Sequence, residues 1–364
     1  MKIAFRADAS LQMGSGHVMR CVTLADALKQ KGAECHFLCR EHPGHLLELV
    51  RGKGHVVHVL PCEPESPIDR NGPAHAAWLG ATQEQDAQAC LPILQALQPD
   101  WLIVDHYALD IRWEESLRPF CRRLMVIDDL ADRAHQCDLL LDQNLGRKPE
   151  DYAGLIPEAC TVLAGPQYAL LRPEFAALRE YSLTRRRGCQ GIRQLLITMG
   201  GVDLADASGL VLDILAACDL PRDCQITVVM GAAAPWLDRV RAKAAELPWK
   251  TQVMVNVNDM AQLMADADLC LGAAGSTSWE RCALGLPCIL LCLAENQKMV
   301  IEALSRKGVA MAVDIQALQM VGATLLNDVL AQAWSSAPHM AECAASVTDG
   351  SGCVRLMDYL VEAK

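Results

Sequence analysis

Apolar residues in the first half of the chain fall into short runs separated by amphipathic stretches. The run at 3–5 predicts a strand. Residues 17–29 predict a helix, because Cys21, Leu24, Ala25 and Leu28 recur at i, i+3, i+4 and i+7. "ECHFLC" and "HVVHVL" read as further strands with a helix from about residue 45 between them, and 84–97 reads as a helix. "DWLIVD", "RLMVID" and "DLLLD" are short buried strands, each ending in aspartate, as expected where parallel strands emerge at a carboxyl edge. A second series follows, with "LLITMGG", "QITVVMG", "VMVNV", "ADLCLGAAG" and "PCILLCL", and a helix closes the chain from about Gly352. Such alternation predicts doubly wound α/β sheets.

At 364 residues the chain exceeds one ordinary domain. The polar, basic stretch "LREYSLTRRRGCQGIRQ" reads as a linker, so the expected organisation is 1–165, a linker at 166–190, and 191–364 including the closing helix. Hydrophobic residues make up 52%, enough for two cores, while aromatics supply only 4%, so Leu, Ala, Val and Met must fill them. The net charge of -11 is spread without a basic block, which argues against nucleic-acid binding and stable membrane association.

"MKIAFRAD" carries Arg6 and Asp8 where a signal peptide needs an apolar run, and no segment approaches the ~18 apolar residues of a membrane span. Of the 17 cysteines, several such as Cys270, Cys288 and Cys292 lie in apolar runs, where a free thiol behaves as a small hydrophobe. A cytoplasmic protein is expected. The Cys- and His-rich stretch 35–58 lacks the paired spacing of a structural zinc site, so no metal is expected there.

Two loops carry candidate chemistry. In "RADASLQMGSGHVMRC" a strand runs into Gly14, Ser15 and Gly16, and His17 stands where a helix begins. Glycines permit a tight turn, and they also let a ligand approach the backbone beside an imidazole. In "ADLCLGAAGSTSWERCALGLPCILLCLAENQ" a strand is followed by Gly275, Ser276 and Thr277 at a helix start, with Gly285 and Pro287 as stop signals. Amides at such a start bind anions without a metal. Glu280 lies one turn further on, within reach of a sugar hydroxyl, and Asn296 and Gln297 follow the next strand.

This ordered set resembles the nucleotide-binding half of GT-B proteins, particularly the N-acetylglucosaminyl transferase that makes the peptidoglycan lipid precursor. With "VDHYALD", "IDDLADRAHQCDLLLDQN", "LAGPQYALLRPEF" and "MGGVD" in order, the chain to about residue 310 is similar to the UDP-2,4-diacetamido-2,4,6-trideoxy-β-L-altropyranose hydrolases of pseudaminic acid biosynthesis. The resemblance implies a GT-B-like fold of two Rossmann-like domains facing across a cleft. It also implies hydrolysis of a UDP-sugar at the anomeric carbon, with inversion and without a cofactor or metal. It makes His17 the general base and assigns Tyr107 and Asn296 to the substrate. Gly14, Ser15 and Gly16 then line the sugar site, and Gly200, Gly275, Ser276, Thr277 and Glu280 face the nucleotide.

The chemistry is self-consistent. A nucleoside diphosphate leaves without an acid, so the task that remains is to deprotonate water, and histidine is the default base. Asp8, Asp105, Asp128 and Asp129 fall at or just after strand ends, where ligands sit in such sheets. Either Asp8 or Asp105 is expected to orient His17 or the substrate, and both also suit loop capping. Two rival readings stand beside the hydrolase. One is an inverting glycosyltransferase using an acceptor other than water, and the other is a non-catalytic nucleotide-sugar binding module.

Overall fold

A computed structural model of the chain describes residues 1–62, 72–232, 234–294 and 297–361. These residues form two compact units. The first is Met1–Leu170 together with the stretch from Gly352 onward, and the second is Leu171–Ser351.

Among the described residues the first unit holds one parallel sheet. Its strands are β1 (Lys2–Ala7), β2 (Glu34–Arg40), β3 (Val56–Leu60), β4 (Trp101–Asp105), β5 (Arg123–Ile127), β6 (Leu139–Asp142) and β7 (Thr161–Ala164), in the order β3-β2-β1-β4-β5-β6-β7. Both faces are covered, as a parallel sheet requires. Ile3, Phe5 and Ala7 of β1 join Trp101 and Ile103 of β4 in one cluster. Ala4 and Leu102 point into the opposite cluster with Leu94 and Trp113. The helix Gly16–Gln30 supplies Val18, Cys21, Leu24 and Leu28 to the first of these, so the predicted stripe is the buried face. The helix Gln83–Leu97 starts at a capping box, in which Thr82 and Gln85 each bond the other's backbone amide.

The second unit repeats the plan with β8 (Gln194–Thr198), β9 (Gln225–Met230), β10 (Lys250–Val255), β11 (Leu269–Ala273), β12 (Cys288–Leu291) and β13 (Ala310–Val313). Their order is β10-β9-β8-β11-β12-β13. In each sheet the chain winds outward from its first strand and then returns to that strand's other side. The reversal falls between β1 and β4 in one sheet and between β8 and β11 in the other. Carboxyl ends of strands at such a reversal splay their loops apart and leave a crevice, the usual ligand position.

Two features depart from the sequence expectation. The sequence assigns the closing helix, Gly352–Val361, to the second domain, but Cys353, Leu356 and Leu360 are buried with Val18 and Leu24 of the first unit. Trp101 Nε1 donates to the carbonyl of Leu360 at 3.1 Å. An apolar stripe at i, i+3, i+7 reveals that a helix packs, not which sheet it packs on. The expected linker is largely the helix Pro173–Arg187. Its arginines satisfy carbonyls at the ends of helices of the second unit and in one following loop: Arg179 reaches Ala283, Ala345 and the loop residue Thr348, and Arg186 reaches Met264, Ala267 and Leu284. The basic composition that resembled a linker is a set of helix C-terminal partners.

Candidate active site

The reversal between β1 and β4 brings the first loop's residues together with those of "VDHYALD". Ala7 lies in register with Asp105, so the loop after β1 and the residues after β4 emerge side by side. The loop folds back through a two-way backbone pair between Ser10 and Gly14, and Gly14 takes φ +80° there. Glycine is required at that position by the backbone as well as by any ligand. A side chain at Gly14 or Gly16 would meet nothing within 4 Å, so the space above both is open. Ser15 precedes the helix without capping it through its side chain.

His17 is buried to 7% exposure, and its Nδ1 lies 2.6 Å from Asp105 Oδ1. Arg20, one turn along the same helix, grips the same carboxylate through Nε at 2.6 Å and Nη2 at 2.7 Å. Arg20 Nη1 reaches Asp129 Oδ2 at 2.6 Å, and the Tyr107 hydroxyl donates to that oxygen at 2.8 Å. Burial would push the Asp105 carboxyl up, but Arg20 and His17 outweigh it and hold it well below the ordinary carboxylate range. A carboxylate that stays ionised accepts Nδ1–H, which leaves the lone pair on Nε2; this tautomer is assigned from the partner. Nε2 has no protein partner among the described residues.

Of the two aspartates left open by the sequence, Asp105 is therefore the one that holds His17. Asp8 serves a separate buried network. It pairs with Arg6 at 2.7 Å, accepts from the backbone of Arg40 at 2.6 Å, and faces His106 Nε2 at 3.3 Å. Asp128 bonds Arg133, Tyr152 and the backbone of Ala131. Tyr107 packs edge-on against His17, with ring centroids 4.5 Å apart. Its hydroxyl proton is committed to Asp129, so toward a ligand that oxygen can only accept. Burial, then the Asp129 charge, push its pKa well up. Half-buried His75 and Trp78 continue the aromatic surface, their rings 5.5 and 5.9 Å from that of Tyr107.

In the second unit β8 and β11 are neighbours, with Thr198 in register with Gly272. Gly200 and Gly275 thus follow adjacent strand ends. Both are exposed, a side chain at either would meet nothing within 4 Å, and Gly200 has φ +96°. The helix Thr277–Ala283 follows, and the Ser276 side chain is not used to cap it. Its end matches the stop signals: Gly285 has φ +60°, and the amides of Gly285 and Leu286 bond the carbonyls of Cys282 and Arg281. Glu280 keeps 17% side-chain exposure, with Arg172 Nη2 4.0 Å from its Oε1. Burial pushes its carboxyl up to about 7, against the pull of Arg172. Asn296 lies outside the described residues.

A model of the Glycosyltransferase family 28 C-terminal domain matches residues 195–347. The solved structure of Acinetobacter baumannii MurG is similar with a TM-score of 0.70 at 14% identity, over 99% of each chain. The chain has the GT-B fold. Among its relatives, an uncharacterized protein of Methanocaldococcus jannaschii is 25% identical over 302 residues, 82% of this chain and 57% of that one. The UDP-2,4-diacetamido-2,4,6-trideoxy-β-L-altropyranose hydrolase of Campylobacter jejuni is 25% identical over 308 residues, 85% of this chain and 97% of that one. The chain thus spans little more than half the length of the first relative and nearly all of the second. The resemblance read from the motifs is borne out at this level.

For this GT-B chain the sequence reading missed Arg20, His75 and Trp78. Arg20 carried a signal, since i and i+3 positions share a helix face and His17 and Arg20 are so spaced. His75 and Trp78 carried none, because only tertiary packing brings them to Tyr107. Among the described residues no group of three or more His, Cys, Asp or Glu side chains is arranged to hold a metal, and no helix is long and apolar enough to cross a membrane.

Proposed function

We propose that this GT-B protein hydrolyses a UDP-linked 2,4-diacetamido-2,4,6-trideoxy sugar, the β-L-altropyranose derivative, at its anomeric carbon. The observation that carries the reading is the buried His17–Asp105–Arg20 assembly beside an open glycine loop, joined to the C. jejuni relative's 97% coverage. A solvated histidine needs no such support. A general base does, because its tautomer and direction must be fixed before the water is bound.

In the proposed reaction His17 Nε2 takes a proton from water as the water oxygen bonds the anomeric carbon from the face opposite the nucleotide. The bond from that carbon to the diphosphate oxygen breaks, and its electron pair leaves with UDP. The sugar is released with inverted configuration. UDP is a weak base and needs no proton to depart, so one base suffices where ordinary glycosidases use two carboxyl groups. Gly14, Ser15, Gly16 and Tyr107 contact the sugar, Asp105 orients the base, and Asn296 contributes to the sugar site. Gly200, Gly275, Ser276 and Thr277 receive the diphosphate, and Glu280 accepts hydrogen bonds from the ribose hydroxyls. Family 28 similarity over 195–347 supports this nucleotide assignment.

The same similarity favours one second reading, an inverting glycosyltransferase in which His17 deprotonates an acceptor hydroxyl. Incubation of purified protein with the UDP-sugar alone separates the two: steady UDP release with no acceptor supports the hydrolase, and release only on adding an acceptor supports the transferase.

Glu280 gives this reading a pH signature. Its ionised form accepts hydroxyl donors as charge-assisted bonds, about twice as strong as those to the neutral acid, and burial holds its pKa at about 7. Affinity for a UDP-sugar is expected to be full above that pH and to fall by up to about tenfold per unit on acidification below it. Calorimetric titration across pH 5.5–8.5 measures it, using a UDP-sugar because a diphosphate esterified at both ends keeps its charge over this range. Glu280→Gln should bind more weakly and show no such acid limb. An identical limb in that variant would remove Glu280 from the ribose site.

A further inference from the structure

One buried charge of the second unit has no use in the mechanism above. Arg281 is 1% exposed, and among the described residues no carboxylate lies within ion-pair distance of its guanidinium. Other strongly buried arginines of the chain are paired: Arg6 with Asp8 and Asp86, Arg20 with Asp105 and Asp129, Arg133 with Asp128. Arginine keeps its proton at all physiological pH, so it cannot escape burial by neutralising. A buried charge without a counter-charge is strongly unfavourable, as when one partner of a buried pair is removed. Its Nε is buried without a hydrogen-bond partner.

Arg281 Nη1 donates to Cys270 Sγ at 4.0 Å, and Nη2 serves one turn. Arg281 Nη2 donates to the carbonyl of Ala273 at 2.8 Å and to Ser278 Oγ at 3.1 Å. Ser278 Oγ in turn accepts from the Gly275 amide at 3.3 Å. One nitrogen thus ties the last residue of β11 to the first turn of the following helix, with the glycine between them. Gly272 makes room for it: a side chain there would stand 2.8 Å from Arg281 Nη1.

We propose that Arg281 is a positioning residue for anion binding, a fixed positive charge beneath the 273–278 turn whose missing counter-charge is the diphosphate of a uridine nucleotide. The proposal rests on the nucleotide assignment made above. Through Ser278, whose Oγ also takes the Gly275 amide, the guanidinium holds the turn in place, and through space it makes the turn electropositive. Because it lies in a buried, weakly screened position, its effect scales with the charge of the ligand.

That scaling separates it from a merely structural brace. Affinities for UDP and for uridine are measured by calorimetry and ligand-observed NMR in the wild type, Arg281→Met and Arg281→Lys, with thermal midpoints recorded alongside. Arg281→Met is expected to weaken UDP at least tenfold and uridine less than twofold. Arg281→Lys keeps the charge and is expected to retain the wild-type preference for UDP over uridine within about threefold. Equal losses for both ligands in Arg281→Met, or no loss, would overturn the proposal. If Arg281→Met does not fold, Arg281→Gln, which removes the charge but keeps a side-chain donor, decides, and an unchanged preference for UDP over uridine in it overturns the proposal. A wild type that binds UDP no better than uridine would instead refute the nucleotide assignment and the proposal with it.

Discussion

Replacing His17 with alanine is expected to lower kcat for UDP-sugar hydrolysis by roughly 10²–10⁴-fold, the usual contribution of a positioned general base. UDP affinity should change less than twofold, because the groups assigned to the nucleotide all belong to the second unit. The residue is 7% exposed and loss of its ring leaves Arg20 and Asp105 still paired at 2.6 Å, so the fold should survive. His17→Asn is the sharper variant, since it keeps a polar group near Asp105 without supplying a base. Steady-state kinetics with a thermal melt checks both. Near-normal turnover in either would remove His17 from the chemistry.

Asp105→Asn is expected to be almost as severe, by a different route. The carboxylate accepts from His17 Nδ1, Arg20 Nε and Arg20 Nη2, and no amide can accept all three. An asparagine that turns its oxygen to Arg20 presents its NH₂ to His17. The imidazole then moves its proton to Nε2, and the lone pair needed to take a proton from water is gone. A loss in kcat of on the order of 10²–10⁴-fold follows, with KM nearly unchanged, as when the orienting aspartate of a catalytic triad is amidated. Arg20 stays bound to Asp129 at 2.6 Å, which limits the structural damage. The split between kcat and KM is the diagnostic. A fall in thermal midpoint with kcat preserved would reduce Asp105 to a structural anchor.

The sequence made the sheets legible because each strand is a short apolar run with a polar end, and parallel strands buried on both faces have no other appearance. It made the His17 loop legible for a local reason, the sequence Gly14-Ser15-Gly16 between a strand and a helix. The choice between Asp8 and Asp105 was not local. Both stand at strand ends and both are buried, and only the sheet order, which sets β4 against β1, decides that Asp105 meets an imidazole 88 positions away. The Arg20–Asp129 contact spans 109 positions and was equally hidden. The terminal helix misled because its apolar stripe fits either core. The arginines of Pro173–Arg187 misled because composition does not distinguish solvated charge from charge that caps helix ends.

The most direct test of water attack at the anomeric carbon is hydrolysis of the UDP-sugar in oxygen-18 water, with no acceptor and no added metal, followed by mass spectrometry of both products. The anomer first formed is read by NMR. The account predicts one label on the free sugar, none on UDP, and inverted configuration. Label on UDP would mean attack at phosphorus, and retained configuration would require a second displacement; either result would contradict the role given to His17.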